Sequence, residues 1–148
     1  MRCMLSSIFL KCTKIIYILL YILLFKIDAI TEKSYTLQQM YDLSKKASCA
    51  LRKQGLRKGD VIAIISPNCL DYPIIELGAM AIGAIITAFN PLSTPKEISY
   101  LLSDSEAKIV ILHPFVIKSF EAAESKNVEK KFVFGSAEGY TSISSFYE

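Results

Sequence analysis

The 148-residue sequence has little of what metal, nucleotide and nucleic-acid sites are usually built from. Its single histidine is His113, and its four cysteines, Cys3, Cys12, Cys49 and Cys69, form no CxxC pair. Zinc sites and disulfide frameworks need paired or regularly spaced ligands, so this pattern points to neither. Small buried thiols in a reducing compartment are expected instead. Glycine is scarce, with six residues and no phosphate loop: Gly135-Ser136-Ala137-Glu138-Gly139 lacks the lysine and the following Ser or Thr. The formal net charge is only +3, with no dense Lys/Arg stripe interleaved with aromatics, so nucleic acid is not an expected partner. Asp28, Asp42, Asp60, Asp71, Glu97 and Asp104 fall at predicted caps, turns and helix faces. Solvation or the helix dipole accounts for them there without a metal. No residue is therefore assigned a catalytic, cofactor-binding or metal-binding role.

What is present is a chain that is 52% apolar and 21% charged, enough for one domain with a core. Its organising stretch runs from Gly59 to Pro95. Val61 to Ile65 is a continuous apolar run, β-branched except for Ala63, between Gly59-Asp60 and Ser66-Pro67-Asn68. That composition predicts a strand buried on both faces. From Leu70 the period changes: Leu70, Ile74, Leu77, Met80 and Ala81 recur at three and four, predicting a core-facing helical stripe that Gly83 ends. Ala84 to Thr87 then reads as a second buried strand stopped by Asn90-Pro91, which completes a right-handed βαβ unit.

The same signals extend along the chain. Thr36 with Gln39 is a capping-box pair, and Met40, Leu43, Ala47, Ala50 and Leu51 form the stripe of a helix that Gly55 terminates. Lys45, Lys46, Arg52 and Lys53 are expected to face water. Thr94-Pro95-Lys96-Glu97 is a strong helix start, with Ile98, Leu101 and Leu102 as its buried face. Together these predict an α/β fold with parallel strands at 61–65, 84–87, 108–112 and 132–134 and helices at 37–53, 70–82, 95–105 and 115–126. His113, at a strand's carboxyl end, can face a ligand crevice, but beside Pro114 it reads first as a turn residue.

The first 25 residues stand apart. Ile15 to Phe25 is apolar and uncharged, with Lys11 and Lys14 before it and Lys26 after it. As a helix it reaches roughly 16 Å, against ~30 Å for a hydrocarbon core. Spanning requires Ile8 to Leu10 as well, with snorkelling lysines. A signal peptide is the second option, though Ile27 is large for a cleavage site at Ala29. A terminus that packs on nothing is the third.

The order of motifs resembles the N-terminal subdomain of the AMP-forming acyl-CoA synthetases, the superfamily of 4-coumarate:CoA ligase and firefly luciferase. The matching pieces are Gly55-Leu56-Arg57-Lys58-Gly59-Asp60-Val61, Ser66-Pro67-Asn68, Leu77-Gly78-Ala79-Met80 with Gly83-Ala84, Asn90-Pro91, and Thr94-Pro95-Lys96-Glu97-Ile98. Lys26 to Thr36 is similar to the family's opening hairpin. Ala81 departs from the pattern, since members often carry a basic residue there.

The resemblance implies a partial, Rossmann-like parallel-sheet subdomain: residues 1–25 as a hydrophobic leader or membrane anchor, and 26–148 as an incomplete N-terminal part of the ligase domain. ATP, Mg²⁺ and CoA are the family's cofactors. Its phosphate loop, acidic metal and ribose residues, and C-terminal lysine have no counterpart in these residues, so the segment is expected to be inactive alone. The alternative is a non-catalytic, membrane-tethered interaction module. Expected partners are a membrane, through Ile15 to Phe25, and either a second copy of the chain or the remainder of the synthetase. Arg2, Lys11 and Lys14 outweigh Lys26 and Lys33, which favours translocating the globular part. ATP and CoA chemistry favours a cytosol-facing, membrane-associated location instead, or the family's cytoplasm or peroxisome.

Overall fold

The structure, a computed structural model, describes residues 25–27 and 33–148. The readings of the apolar run before Phe25, of Cys3 and Cys12, and of Asp28 and Ala29 lie outside the described residues. Two compact units divide the chain, Met1–Asp42 and Leu43–Glu148.

In the first unit, β1 (Phe25–Ile27) pairs antiparallel with β2 (Ser34–Thr36), Phe25 opposite Thr36 and Ile27 opposite Ser34. The helix α1 (Leu37–Lys53) follows at once. Its start is the capping box read from the sequence: the Gln39 N–H donates to Thr36 Oγ1 at 3.2 Å, and the Thr36 N–H donates to Gln39 Oε1 at 2.8 Å. From Leu43 onward α1 belongs to the second unit. It ends in a Schellman motif, in which the Leu56 N–H reaches Leu51 O at 3.1 Å and Gly55 takes φ +99°.

The second unit is built on a five-stranded parallel sheet in the order β4-β3-β5-β6-β7. The elements are β3 (Val61–Ile65), α2 (Tyr72–Ala81), β4 (Ile85–Phe89), α3 (Pro95–Ser105), β5 (Ile109–Leu112), α4 (Ile117–Glu121), β6 (Lys130–Val133) and β7 (Thr141–Ser142). A 3₁₀ turn, Pro114–Val116, precedes α4, and another, Ile143–Phe146, follows β7. One face of the sheet presents Ala63, Ile65, Val110, Leu112 and Phe89 to Ile98 and Leu102 of α3 and to Val116 and Phe120. The alternate residues Ile62, Ile64, Ile109 and Ile111 point the other way and are equally buried. That second face is left to α2, whose Ile74, Ile75 and Ala79 are fully buried.

Several expectations need correction. The buried stripe of α2 is Ile74, Ile75, Gly78 and Ala79, not the predicted Leu77, Met80 and Ala81, which are exposed. The reason is a close helix crossing: a Cβ at Gly78 would lie 2.9 Å from Ala47 Cβ and 3.1 Å from Ser44 O and Ser48 N of α1. At the crossing itself only small residues fit, so Gly78 and Ala79 take the positions beside Ile74 and Ile75. β4 is not buried on both faces. It is the sheet's edge, and Ile85 is 54% exposed. The helix predicted to reach residue 126 is only α4, because the chain leaves it at Ala122 and turns at Ser125, whose C=O accepts the Val128 N–H. β7, which has no apolar run, was not predicted. Cys49 is exposed and Cys69 is half-buried, so the expectation of buried thiols fails at Cys49, which lies on the solvent side of α1.

Candidate functional site

Ligands of open parallel sheets sit outside the strands' carboxyl ends, where the strand order reverses. Here β3 has β4 on one side and β5 on the other, so that point lies between β3 and β5. Ser66-Pro67-Asn68-Cys69 leaves β3 there and His113-Pro114 leaves β5, with the His113 N–H bonded to Ile65 O at 2.9 Å. Asn90-Pro91 ends β4 in the same way. Each of these three neighbouring strands thus meets a proline within two residues of its end, and each proline removes an N–H donor.

The side chains at this edge are occupied locally. Ser66 is 7% exposed, and its hydroxyl donates to Pro67 O at 2.7 Å. Burial pushes the Cys69 thiol up in pKa, against the opposing influence of the Tyr72 backbone N–H and the Ser66 hydroxyl beside it. It is a neutral thiol two residues before the N-cap of α2, Asp71. His113 Nδ1 accepts the Phe115 N–H at 3.2 Å, and burial holds its pKa below the usual value. A neutral ring that accepts at Nδ1 carries its proton on Nε2, an assignment inferred from the bonding. Its basic nitrogen is therefore engaged, which agrees with the turn-residue reading. The Ser66 proton goes to a carbonyl and the Cys69 thiol stays protonated, so no nucleophile and base are paired among them.

Anion binding fares no better. At α2, Pro73 has no N–H, and Ile74 and Ile75 donate to Asp71 O at 3.1 and 3.2 Å. At α3 the Glu97 carboxylate occupies the N-terminus, accepting the Thr94 N–H at 2.7 Å and the Thr94 hydroxyl at 2.9 Å. Those bonds hold its pKa below the usual carboxylate range. Asp60, at the amino end of β3, takes Lys108 Nζ at 2.6 Å and the Arg57 N–H at 2.8 Å. The Lys108 bond and then the Arg57 bond lower the Asp60 pKa, and the same pair raises that of Lys108. Among the described residues no three His, Cys, Asp or Glu side chains group in a way that could hold a metal ion. These residues do not fit a nucleotide polyphosphate or Mg²⁺.

The lysines of α1 lie where the sequence put them, on solvent. Lys45, Lys46 and Lys53 border an open groove of about 350 Å³ with Phe146 and Glu148, and Lys46 donates to the Tyr147 carbonyl. The sequence reading missed the roles of Cys69 and Ser66.

Comparison with known proteins gives this scaffold its family. The AMP-binding enzyme family matches residues 23–141. A probable CoA ligase of Humulus lupulus is 38% identical over 91 residues, covering 62% of this chain and 16% of that protein. The 4-coumarate–CoA ligase-like 2 protein of Arabidopsis thaliana is 32% identical over 102 residues, 69% of this chain and 18% of that one. The chain thus spans about one sixth of the length of these curated relatives. Among solved structures, the luciferase-like enzyme of the Zophobas morio mealworm shares the fold with a TM-score of 0.77 at 24% identity, over 82% of this chain and 29% of that chain. The Mycobacterium tuberculosis fatty acyl CoA synthetase gives 0.66 at 29% identity, over 72% and 22%. The family match takes in the opening hairpin, the βαβ unit and the parallel sheet up to β7, and with it the chain belongs to the AMP-binding enzyme family, the acyl-CoA ligases its motifs resemble.

Proposed function

We propose that these 148 residues are the N-terminal part of an ATP-dependent ligase that joins a fatty or aromatic carboxylic acid to CoA, and that they supply scaffold without adenylation chemistry. The observation that carries this is the sheet's carboxyl edge, where the Ser66 hydroxyl is given to Pro67 O and His113 Nδ1 is taken by the Phe115 N–H. Adenylation needs charge-stabilising groups preorganised around the reacting phosphate, and neutral side chains bonded to their own neighbouring backbone are not such groups. ATP, Mg²⁺ and CoA belong in this proposal to residues of a complete ligase outside this segment. The test is carboxylate-dependent ATP–pyrophosphate exchange on the purified 148-residue chain, assayed with a panel of aromatic and fatty acids. Exchange no higher than the no-carboxylate blank is expected. Exchange above it, surviving removal of contaminating ligases, overturns the proposal.

The proposal extends to location. If Ile15 to Phe25 associates with a membrane, the ligase part faces the cytosol, where ATP and CoA are supplied. Protease added to sealed microsomes is expected to digest the globular part. Protection of that part places it across the membrane and refutes the assignment.

A further inference from the structure

The helix α1 has two unlike faces. Ser44, Ala47 and Leu51 are buried, while Lys45, Lys46, Cys49, Arg52 and Lys53, at spacings of three and four, are all exposed on the other side. Two further bases join them from outside the helix. Arg57 Nη1 donates to Arg52 O at 3.0 Å, and Lys130 Nζ, from β6, donates to Gln54 Oε1 at 2.9 Å. Between Leu43 and Gly59 the sequence holds no acid, and Glu148 is the one carboxylate that borders the groove beside Lys45, Lys46 and Lys53. The chain as a whole carries 17 bases against 14 acids, so this surface concentrates positive charge that the average conceals.

Helix capping does not account for it. The helix dipole favours bases in the last turn, which covers Arg52 and Lys53 but not Lys45 and Lys46, more than a turn before the helix end. A folded protein surface, whether of a separate chain or of a further part of the same polypeptide, is a poor match. Such interfaces are depleted in lysine at their cores and are anchored by aromatic side chains, whereas the α1 residues between these bases in the groove are Cys49 and Ala50. From Leu43 to Gly59 there is also no aromatic residue on which a nucleic-acid base could stack.

A lipid surface needs neither anchors nor a fixed side-chain geometry. Clustered bases on a helix face suffice, each adding attraction within a Debye length of anionic headgroups. Attachment to a membrane surface scales with apolar insertion and with this attraction together, and the same chain carries the uncharged apolar run Ile15 to Phe25.

We infer that the basic face of α1 is a docking surface for an anionic lipid bilayer, with its lysine and arginine side chains against the phosphate and carboxylate headgroups. The cytoplasmic leaflet is the anionic one in cells, so the choice of leaflet rests on the cytosol-facing location proposed above. The lipid preference itself does not depend on that location, and a vesicle assay reads it separately from the microsome experiment.

The test is co-sedimentation of the full 148-residue chain with vesicles of phosphatidylcholine alone, or of phosphatidylcholine and phosphatidylserine at roughly three to one. The wild type is expected to bind the phosphatidylserine vesicles about tenfold more tightly at low salt, and to lose most of that preference at about 0.5 M salt. Combining Lys45→Gln, Arg52→Gln and Lys53→Gln is expected to cut the preference on the order of tenfold. Combining Lys96→Gln, Lys118→Gln and Lys126→Gln removes the same charge from exposed positions elsewhere and is expected to change it less than about twofold. The apolar run and its flanking bases are present in every variant, so the difference between the two triple variants reads the α1 face alone. No phosphatidylserine preference in the wild type overturns the inference. An equal fall in both triple variants overturns it as well, since net charge and not this face then governs binding. A wild type that prefers duplex DNA to phosphatidylserine vesicles at equal anionic charge makes nucleic acid the partner, with the same result. If the α1 triple variant does not fold, the single changes Lys53→Gln and Lys126→Gln decide by the same comparison.

Discussion

The helices α2 and α3 cross over strands of the same sheet, yet they meet the core by opposite means. α2 buries Ile74 and Ile75 but meets α1 through small residues, and its Gly78 lets α1 approach until an added Cβ would sit 2.9 Å from Ala47 Cβ. α3 turns Ile98 and Leu102 inward and is fixed at its start by a capping box and Pro95. One helix is positioned by the contact of backbones, the other by side-chain volume and a polar lock at its end. The difference teaches that where a second helix crosses closely, small residues share the inner face with bulky ones, so apolar bulk alone does not mark it.

Substitutions of opposite kind sharpen that contrast. Leu102→Ala leaves a cavity under α3 and is expected to destabilise by about 3 kcal/mol in urea unfolding. A loss below about 1 kcal/mol shows that the α3 side of the core can collapse and that volume does not fix it. At Gly78 the revealing change is to alanine. In an ordinary helix interior Gly→Ala gains about 1 kcal/mol, but here the added methyl meets backbone atoms of α1 at 3.1 Å. A net loss of about 1–2 kcal/mol is expected. Stabilisation by Gly78→Ala breaks the argument for backbone contact.

The polar lock on α3 is weaker. Thr94→Ala removes the acceptor for the Glu97 N–H and the hydroxyl donor to Glu97, for an expected loss of about 1 kcal/mol. The Thr94 N–H bond, the larger cause of the lowered Glu97 pKa, survives in alanine, so the carboxyl is expected to rise only part of the way toward its ordinary value, which carboxyl titration by NMR reads. An unmoved Glu97 means the Thr94 hydroxyl bond takes no part in holding the carboxylate.

The smallest effect is a pH dependence at the other end of the β5 crossover. The folded-state pKa of His113 lies below its ordinary value of 6.5, so the unfolded chain binds the proton more readily. Stability is then full above about pH 6.5 and falls as pH drops through that value toward the folded pKa. His113→Asn, which can still accept the Phe115 N–H, is expected to flatten the urea midpoint between pH 7 and 5.5. An equal slope in wild type and variant assigns the dependence to other groups.

Legibility in the sequence followed the range of the interaction. α1 and α3 were read to the residue because capping boxes, glycine caps and Pro at the first turn act within four positions. β3 was read because a strand covered on both faces needs an unbroken apolar run. The inner face of α2, the edge position of β4 and the existence of β7 depend on residues far away in the chain. Nothing in Leu77 or Met80 alone says that α1 crosses at Gly78. The candidate site was legible in part. Pro114 marked His113 as a turn residue, whereas the thiol bonds of Cys69 depend on how the loop after β3 folds back on α2.

The central place of β3 also bears on synthesis. It is the first strand of the sheet to leave the ribosome, and its neighbours are β4, just over twenty residues later, and β5, nearly fifty residues later. At about 5–20 residues per second the β5 side stays open for roughly 2–10 s, during which Val61-Ile62-Ala63-Ile64-Ile65 has neither a full ladder nor both covering helices. A nascent chain stalled just after β4 therefore presents this pentapeptide as a ready ligand for chaperones that bind short apolar strands, and one released after β6 does not.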